Sequence, residues 1–156
     1  MLRVEIRDLV RGPVVTDGEL ESDDPAFEGL DLQLAGPISI RGRLQATHGE
    51  EFLWRGAIRA TIRGECRRCL TEVRLPVEAE VDVLFSTDPD AADDPSVYPM
   101  PAAATEVDLA PAVREELVLA APTYVLCRDG CAGLCPKCGA DLNAGPCAFA
   151  RSAEQA

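Results

Sequence analysis

The sequence predicts an α+β fold: a mainly antiparallel sheet, strongly twisted or barrel-like, with one helix in the C-terminal half and a cysteine-rich metal-knuckle segment. Two observations carry this prediction. Apolar and polar residues alternate along three stretches, which is typical of strands with one buried and one wet face. Seven cysteines lie in two parts of the chain. We expect residues 1–150 to form a single domain and residues 151–156 a polar tail.

The N-terminal part of the chain is predicted to contain one strand and one acidic loop. Residues 2–10 are compatible with a strand that ends at the Gly12-Pro13 turn signal. Residues 17–31 hold seven acidic residues, together with a proline and a glycine that interrupt regular structure. We therefore expect residues 17–31 to be a solvated loop.

A β-hairpin is predicted next. Small or apolar residues occupy the even positions from Ile38 to Ala46, and again from Phe52 to Ile62. The intervening 47-THGE-50 has the composition of a turn. Two alternating stretches joined by a short turn favour antiparallel pairing of neighbouring strands.

The third strand shows the clearest alternation in the chain. Apolar residues take every odd position from Val73 to Phe85, and the even positions are mostly charged. The 66-CRRC-69 segment supplies the reversal before this strand. Pro76, on the polar face, suggests an edge or a bulge. The Pro-, Ala- and Asp-rich residues 86–105 then predict a second long acidic loop.

One helix is predicted after this loop. Asp108 is a suitable N-cap, and Pro111 is tolerated in a first helical turn. The apolar residues that follow recur at helical spacing and would dock on the sheet: Leu109, Val113, Leu117 and Ala120. The Ala121-Pro122 dipeptide ends the helix.

The cysteines predict a metal site. Cys-x-x-Cys occurs twice, at 66–69 and 135–138, and such pairs on tight turns point both sulfurs at one ion. Gly139 suits the second turn because it tolerates the positive φ that closes it. The preferred ion for four thiolates is Zn²⁺, in a structural role. Arg67 and Arg68, between two of the ligands, are placed to offset the negative charge of such a site.

The spacing alone leaves two groupings open. In the first, Cys66 and Cys69 join Cys127 and Cys131, while the remaining three cysteines form a second, incomplete site: Cys135, Cys138 and Cys147. In the second, the two Cys-x-x-Cys pairs share one ion. Either grouping ties the C-terminal segment back to the turn before the third strand.

Two other uses of the thiols, and catalysis in general, fit less well. A thioredoxin-like thiol pair precedes a helix, which lowers a thiol pKa, whereas Cys66 and Cys69 precede a predicted strand. Inert buried cysteines rarely occur as paired motifs. His48, the only histidine, lies in a predicted turn, so no Ser-His-Asp or Cys-His arrangement is available. We expect no enzymatic activity.

A basic tract stands out in an acidic chain. The net charge is −12, yet residues 41–74 hold eight arginines and four acidic residues. The guanidinium group suits phosphates because it offers paired donors and keeps its charge. We therefore expect RNA contacts, mainly to phosphate, from arginines on the wet face of the hairpin and in the following turn: Arg41, Arg43, Arg55, Arg59, Arg63, Arg67 and Arg68. The alternative is a solvated face on which acids of the third strand oppose these arginines.

Three motifs resemble one family. The segments 64-GECRRCL-70, 115-EELVLAAP-122 and 127-CRDGCAGLCPKCGADLN-143 are similar to the YceD family of bacterial large ribosomal RNA subunit accumulation proteins. Fuller members end in Cys-x-Cys, whereas Phe149 here stands in place of the last cysteine. Shorter members lack the 135–138 knuckle but keep metal-type residues at the places matching 66, 69, 127 and 131. The resemblance therefore favours the first grouping.

The resemblance implies a role in the synthesis, processing or stability of large-subunit (23S) ribosomal RNA. It supplies no catalytic residues. The expected partners are ribosomal RNA or a large-subunit assembly intermediate, with a ribosomal protein as a further candidate. The N-terminus has no signal-peptide pattern and no segment is long and apolar enough for a membrane span, so a cytoplasmic location without a membrane partner is expected. A zinc-stapled adaptor that binds a ribosomal protein or a processing enzyme, and a thiol oxidoreductase, are the alternatives.

Overall fold

The computed structural model describes residues 2–149, so the predicted tail at 151–156 lies outside the described residues. The elements of this part of the chain are β1 (Arg3–Glu5), α1 (Ile6–Leu9), β2 (Val14–Val15), β3 (Gly18–Leu20), β4 (Gln33–Leu34), β5 (Ile38–Ala46), β6 (Glu51–Glu65), β7 (Glu72–Ser86), β8 (Val97–Pro99), β9 (Glu106–Asp108) and α2 (Ala110–Ala120). Single turns of 3₁₀-helix occur at Pro25–Phe27, Pro89–Asp93 and Leu142–Ala144.

The chain divides into two compact units. The first, which we call the sheet unit, comprises Met1–Ile62 and Pro76–Ala121. The second, the cysteine unit, comprises Arg63–Leu75 and Pro122–Ala156. All seven cysteines belong to the cysteine unit. Among the described residues, no helix has the length and apolar character that a membrane crossing requires.

The main sheet is mixed and open. Its strand order is β2-β5-β6-β7-β8, with β3 also pairing with β5 and β4 with β6. The predicted hairpin is confirmed, since β5 and β6 pair antiparallel from Ser39↔Arg59 to Ala46↔Phe52. The barrel-like alternative is wrong for the described residues, because β2 and β8 end the order without pairing to each other. The sheet is also not wholly antiparallel: β8 lies parallel to β7 because the chain after β7 runs back before it pairs.

The first predicted strand is shorter than expected. Only β1 is extended, and it pairs with β9 in a separate two-stranded sheet through Val4↔Val107. The chain then turns into α1, so the described residues contain two α-helices rather than the one predicted. Ile6 and Leu9, three residues apart, both pack against the core, which a one-turn helix allows and a strand does not.

A pair of glycines lets a tryptophan enter the core of the hairpin. Gly42 and Gly56 face each other across β5 and β6. A Cβ on Gly56 would lie 2.2 Å from the carbonyl oxygen of Arg41, so neither strand tolerates a side chain there. The space admits Trp54, which is fully buried and donates its indole N–H to the hydroxyl of Thr16 at 2.9 Å. The sequence alternation is thus broken by glycine where the strands must approach closely.

The third strand and α2 complete the core as predicted. The odd positions of β7 from Val77 to Phe85 are buried, whereas Val73 and Leu75 at its start are only partly so. Leu109, Val113 and Leu117 of the helical stripe are buried, and the Asp108 carboxylate accepts the N–H of Ala110 at 3.0 Å.

Short elements interrupt both segments expected to be acidic loops. Residues 17–31 contain β3, which pairs with β5, and a 3₁₀ turn that buries Phe27 in the core. Residues 86–105 contain β8, where Tyr98 stacks on Phe85 with ring centroids 5.3 Å apart. Apolar side chains scattered among the acids therefore anchor these segments to the sheet.

Candidate metal centre

Two turns of nearly identical backbone present the Cys-x-x-Cys pairs. In the turn between β6 and β7, the N–H of Leu70 donates to the carbonyl of Cys66 at 2.9 Å, and the N–H of Cys66 donates to Thr71 at 2.9 Å. In the later turn, Gly139 donates to Cys135 at 2.8 Å and Cys135 donates to the carbonyl oxygen of Ala140 at 2.9 Å. The two turns therefore superpose residue for residue in their hydrogen bonding.

Both turns close with a positive φ. Gly139 has a φ of 74°, which a glycine adopts without strain, as the sequence predicts. Leu70 has a φ of 63° and is the one non-glycine residue with positive φ among the described residues. For a residue with a Cβ this conformation costs roughly 1–2 kcal/mol. The positive φ that the cysteine turn requires at Leu70 is therefore adopted despite the preference of leucine for negative φ.

Four thiols converge in the cysteine unit. The Sγ atoms of the four-thiol group lie within 4.8 Å of one another: Cys66, Cys69, Cys127 and Cys131. The Sγ–Sγ distances from Cys66 to Cys131 and from Cys69 to Cys127 are both 3.6 Å. A tetrahedral zinc with Zn–S bonds of about 2.3 Å would hold its sulfurs about 3.8 Å apart. The four sulfurs thus already have the spacing of a closed four-thiolate site.

Backbone hydrogen bonds bring the C-terminal segment to the first turn. The N–H of Arg67 donates to the carbonyl of Val125 at 2.9 Å, and the N–H of Leu134 donates to the carbonyl of Arg68 at 3.2 Å. These two bonds bracket the stretch that carries Cys127 and Cys131. Main-chain hydrogen bonds therefore hold the stretch that carries Cys127 and Cys131 against the turn that carries Cys66 and Cys69.

Burial makes this group a dry one. Cys66 is fully buried, Cys131 is 2% exposed and Cys69 is 7% exposed, while Cys127 is partly buried. Leu126 and Leu134 pack against the cluster. A site with four sulfurs and little solvent access has no open position for an activated water.

The thiols of the four-thiol group differ in acidity. Backbone N–H groups, first that of Cys69, lower the pKa of Cys66 to about 6 despite the opposing effect of burial. The side-chain amide of Asn143 lowers the pKa of Cys131. Burial raises the pKa of Cys127 to about 12. Two of the sulfurs are thus more acidic than an ordinary thiol, whereas Cys127 would have to release its proton in order to bind a metal.

Asn143 and Thr71 support the four-thiol group, and the sequence analysis did not identify them. The amide nitrogen of Asn143 donates to Cys131 Sγ at 3.3 Å, and its oxygen accepts the N–H of Ala132 at 2.8 Å. Cys69 Sγ lies 3.1 Å from the hydroxyl of Thr71. Only proximity in the fold reveals these contacts, because Asn143 is twelve residues from the sulfur it contacts.

The two arginines of the first turn have different surroundings. Arg68 donates to the carbonyl of Cys131 at 3.0 Å, which places its positive charge at the four-thiol group. The Arg67 guanidinium lies over the ring of Tyr124, 5.0 Å from its centroid. Of the two arginines expected to offset thiolate charge, Arg68 is therefore the one in contact with this group.

The other three cysteines form a separate group. In the three-thiol group the Sγ atoms of Cys135, Cys138 and Cys147 lie within 4.8 Å of one another, and no fourth His, Cys, Asp or Glu of residues 2–149 joins them. Backbone N–H groups of Cys138 and Lys137 lower the pKa of Cys135 to about 7. The arrangement of all seven thiols corresponds to the first grouping considered from the sequence.

Ion pairs engage part of the arginine tract. Arg55 contacts Asp82 at 3.0 Å, and Arg59 contacts Glu78 at 2.9 Å. These contacts correspond to the alternative in which acids of the third strand oppose the arginines. Arg55, the earlier residue of β6, contacts the later residue of β7, and Arg59 contacts the earlier one, so the two strands run antiparallel.

The remaining arginines on the hairpin have no acidic partner among residues 2–149. Arg41 and Arg43 are exposed on β5, and neither forms a salt bridge within residues 2–149. Arg43 lies directly across from Arg55. Arg63, at the end of β6, is also exposed, and it belongs to the cysteine unit with Arg67 and Arg68. His48, the sole histidine, is exposed in the turn that follows β5.

Comparison with known proteins places these features in a family. The family model of the large ribosomal RNA subunit accumulation protein YceD matches residues 54–156, the span that contains every cysteine. An uncharacterised protein of Mycobacterium bovis and one of Mycobacterium tuberculosis are each 30% identical over 145 residues, 91% of this chain and 65% of theirs. A Mycobacterium leprae protein is 27% identical over 145 residues, 81% of this chain and 61% of its own length.

The chain thus spans about two thirds of the length of the curated relatives it matches. No solved structure matches. The family model covers well over half of the chain, including both cysteine turns and the helix α2. The chain belongs to the YceD family of large ribosomal RNA subunit accumulation proteins.

Proposed function

We propose that this protein is a non-enzymatic cytoplasmic factor in the synthesis, processing or stability of large-subunit (23S) ribosomal RNA. In this proposal the four-thiol group holds a structural Zn²⁺, and exposed arginines contact RNA phosphates. The observation that carries the proposal is the family match over residues 54–156, whose description refers to accumulation of the large ribosomal RNA subunit. The partner is ribosomal RNA or an assembly intermediate of the large subunit.

The donor set and spacing of the four-thiol group support zinc. Four sulfurs match the preference of a structural zinc site, and the 3.6 Å Sγ–Sγ separations suit a tetrahedron. When bound, the ion would tie together segments nearly sixty residues apart, a closure that costs about 3–4 kcal/mol. Apparent binding free energies of roughly 10–16 kcal/mol for structural zinc exceed that cost. The residues then serve as ligands and not as reacting groups.

Elemental analysis of the freshly purified, reduced protein tests the zinc assignment. We expect at least one zinc per chain that remains after gel filtration. A thiol oxidoreductase predicts free, reactive thiols and no bound metal. Finding metal-free protein with a fully formed cysteine unit would therefore refute the assignment.

Unpaired charge decides which arginines are offered as RNA contacts. Arg41 and Arg43 are exposed and have no carboxylate partner in the described residues, whereas Arg55 and Arg59 are held by Asp82 and Glu78. An arginine in an ion pair must break that pair, or share its charge, before it contacts a phosphate. We therefore propose Arg41, Arg43, Arg63 and Arg67 as the stronger contacts of the set, with Arg55, Arg59 and Arg68 as weaker ones.

Matched double variants test this ranking. In a salt titration of binding to 23S ribosomal RNA, each lost phosphate contact reduces the slope of log K against log salt by about 0.7–0.9. Arg41→Gln with Arg43→Gln is expected to reduce the slope by about twice that amount. Arg55→Gln with Arg59→Gln, which removes the same formal charge, serves as the control and should change it less. Equal effects of the two pairs would contradict the ranking.

A second candidate function rests on the charge of the sheet unit. This unit holds eight basic and twenty-two acidic residues, a net charge of −14. Such a surface repels RNA and attracts a basic protein. We propose as the alternative a zinc-stapled adaptor that binds a basic ribosomal protein or a processing enzyme. Purified chain that binds basic large-subunit proteins at low salt, but no ribosomal RNA, would favour the adaptor.

A further inference from the structure

The three-thiol group differs from the four-thiol group in one respect that has chemical consequences: residues 2–149 supply it with three donors and no fourth. Cys135 is 5% exposed, Cys147 is partly buried, and Cys138 is exposed. Solvent therefore reaches this group from the side of Cys138. The four-thiol group, by contrast, is nearly closed to water.

The turn that carries two of these sulfurs is closed by its own backbone hydrogen bonds. Its hydrogen bonds, from Gly139 to Cys135 and from Cys135 to Ala140, repeat those of the first cysteine turn. Its glycine relieves the strain that Leu70 imposes on the other turn.

Within residues 2–149 the surroundings of the three sulfurs provide no further ligand. The Lys137 side chain lies in the same turn, and its ammonium nitrogen is 5.8 Å from the centroid of the Phe149 ring. The carboxylate of Asp141 accepts the N–H of Asn143 at 2.9 Å and so caps the following turn. No acidic or histidine side chain of residues 2–149 stands near enough to complete a tetrahedron.

We propose that Cys135, Cys138 and Cys147 bind a second Zn²⁺, distinct from the structural ion, whose fourth coordination position is held by an exchangeable ligand from solvent. Three thiolates leave one position of the zinc tetrahedron open, as in sites that admit a water or another small donor. The site carries a net charge of −1, against −2 for a four-thiolate site, so it also accepts an anionic donor more readily. Binding releases the protons of the thiols and changes no oxidation state.

The open position makes this second ion labile. An incoming chelator or thiol binds first at the open position and then displaces the protein sulfurs one by one, a route that the closed group does not offer. The small core around Cys66, Cys69 and Cys131 contains none of the three-thiol cysteines, so the two ions would have separate ligands. The protein would thus give up and reload one zinc while it keeps the other.

Zinc release to the chromophoric chelator 4-(2-pyridylazo)resorcinol tests the proposal on the full-length reduced protein. We expect two zinc per chain and two release phases of equal amplitude, the faster at least about tenfold faster than the slower, as the open position predicts. Cys138→Ser alters an exposed residue and should remove the fast phase while the slow phase and the fold persist. Thr123→Ser, at another exposed position of the unit, is the control and should keep both phases.

Three results of the zinc-release experiment would each refute one of the two zinc assignments. One zinc per chain in wild type and Cys138→Ser alike overturns the proposal, and so do two equal, slow phases. A fast phase that is present without a slow one would leave the second site standing and would refute the structural zinc instead.

Two further variants examine the fourth position itself. Phe149→Cys introduces a thiol two residues after Cys147, beside the turn that its ring now covers, and should slow the fast phase by closing the site. An unchanged fast phase in this variant counts against an open position. Glu154→Gln, outside the described residues, should leave the fast phase unchanged, and a faster or lost phase would mean that the chain supplies its own fourth ligand.

Cobalt provides an independent readout. After exchange of zinc for Co²⁺, added imidazole should shift the visible bands of one of the two ions in the wild type and of none in Cys138→Ser. Bands that do not respond to imidazole in the wild type would overturn the proposal.

Discussion

Each of the two units of this protein is stabilised by a different kind of interaction. The sheet unit has a core of nineteen buried residues, contributed by strands, α1, α2 and a 3₁₀ turn. In the described part of the cysteine unit, the corresponding cluster consists of three buried cysteines with a few partly buried neighbours. One unit is stabilised by apolar burial, and the other has too little apolar surface to fold in that way. All seven cysteines lie in this second unit, about one third of the chain.

Charge divides along the same boundary. The sheet unit carries −14, whereas the cysteine unit has seven basic and five acidic residues, a net charge of +2. An acidic chain thus contains a unit that a polyanion can approach. The basic tract seen in the sequence is therefore split between a pair on β5, a partly neutralised pair on β6 and a set in the cysteine unit.

Metal removal is expected to have the largest effect, and the two units should respond to it differently. Chelation should unfold the cysteine unit, since roughly 10–16 kcal/mol of apparent zinc binding is lost. The sheet unit should remain folded on its own core. Hydrogen exchange checks this: the amide of Leu134, bonded to Arg68, should lose protection, and that of Ile58 on β6 should keep it. Protection that survives chelation at Leu134 would contradict a metal-dependent unit.

Truncation of the helix core should have the converse effect. Leu117, 1% exposed, packs in the apolar core, and Leu117→Ala is expected to destabilise the sheet unit by about 2–5 kcal/mol. Urea unfolding followed by tryptophan fluorescence measures this, because Trp54 reports on that core. Val118→Ala, at a 48% exposed neighbour, is the matched control and should change stability by less than about 0.5 kcal/mol. A large loss of bound zinc in Leu117→Ala would show that metal binding in the cysteine unit depends on the stability of the sheet unit.

The supporting amide of the four-thiol group is expected to come next in size. Asn143→Ala removes the N–H that contacts Cys131 Sγ and should weaken metal binding about 10–100-fold, the usual cost of losing such a partner. Competition with a zinc chelator of known affinity measures this. Ala144→Ser, at the exposed adjacent residue, is the control. Wild-type affinity in Asn143→Ala would mean that the contact has no role in holding the ion.

The smallest expected effects compare the two cysteine turns directly. Leu70→Gly should stabilise the cysteine unit by about 1 kcal/mol, because it removes a Cβ from a left-handed position while the lost side chain is 59% exposed. Gly139→Ala should destabilise the unit by a similar amount, about 1 kcal/mol, for the same reason. Thermal unfolding of the zinc-loaded protein checks the opposite signs. Changes of the same sign in the two variants would refute the equivalence of the turns.

Much of the sheet unit is predictable from the sequence. The alternation in residues 38–46, 52–62 and 73–85 predicts three long strands, because a period of two places apolar side chains on a single face that must be buried. The stripe through Leu109, Val113 and Leu117 predicts α2 for the analogous reason at helical spacing. Short elements such as α1 and β8 escape prediction, since four or three residues carry no periodicity of their own.

The candidate site was predictable by residue type but not by partner. The two Cys-x-x-Cys pairs indicate candidate thiolate ligands, and Gly139 indicates the positive φ that closes the second turn. That Arg55 and Arg59 meet acids of β7 while Arg41 and Arg43 do not depends on strand register, which relates residues about twenty to thirty positions apart. The contact of Asn143 with Cys131 depends on how two turns pack.

By itself, the sequence determined two features of the molecule: an alternating apolar pattern for a sheet, and a set of cysteines that could hold a metal. Local spacing carries this information because a strand or a tight turn is built from neighbouring residues. Only the tertiary structure decided how the seven thiols divide into four and three, and which arginines keep their charge unpaired. These outcomes depend on distances between segments far apart along the chain, and such distances arise only when the backbone has folded.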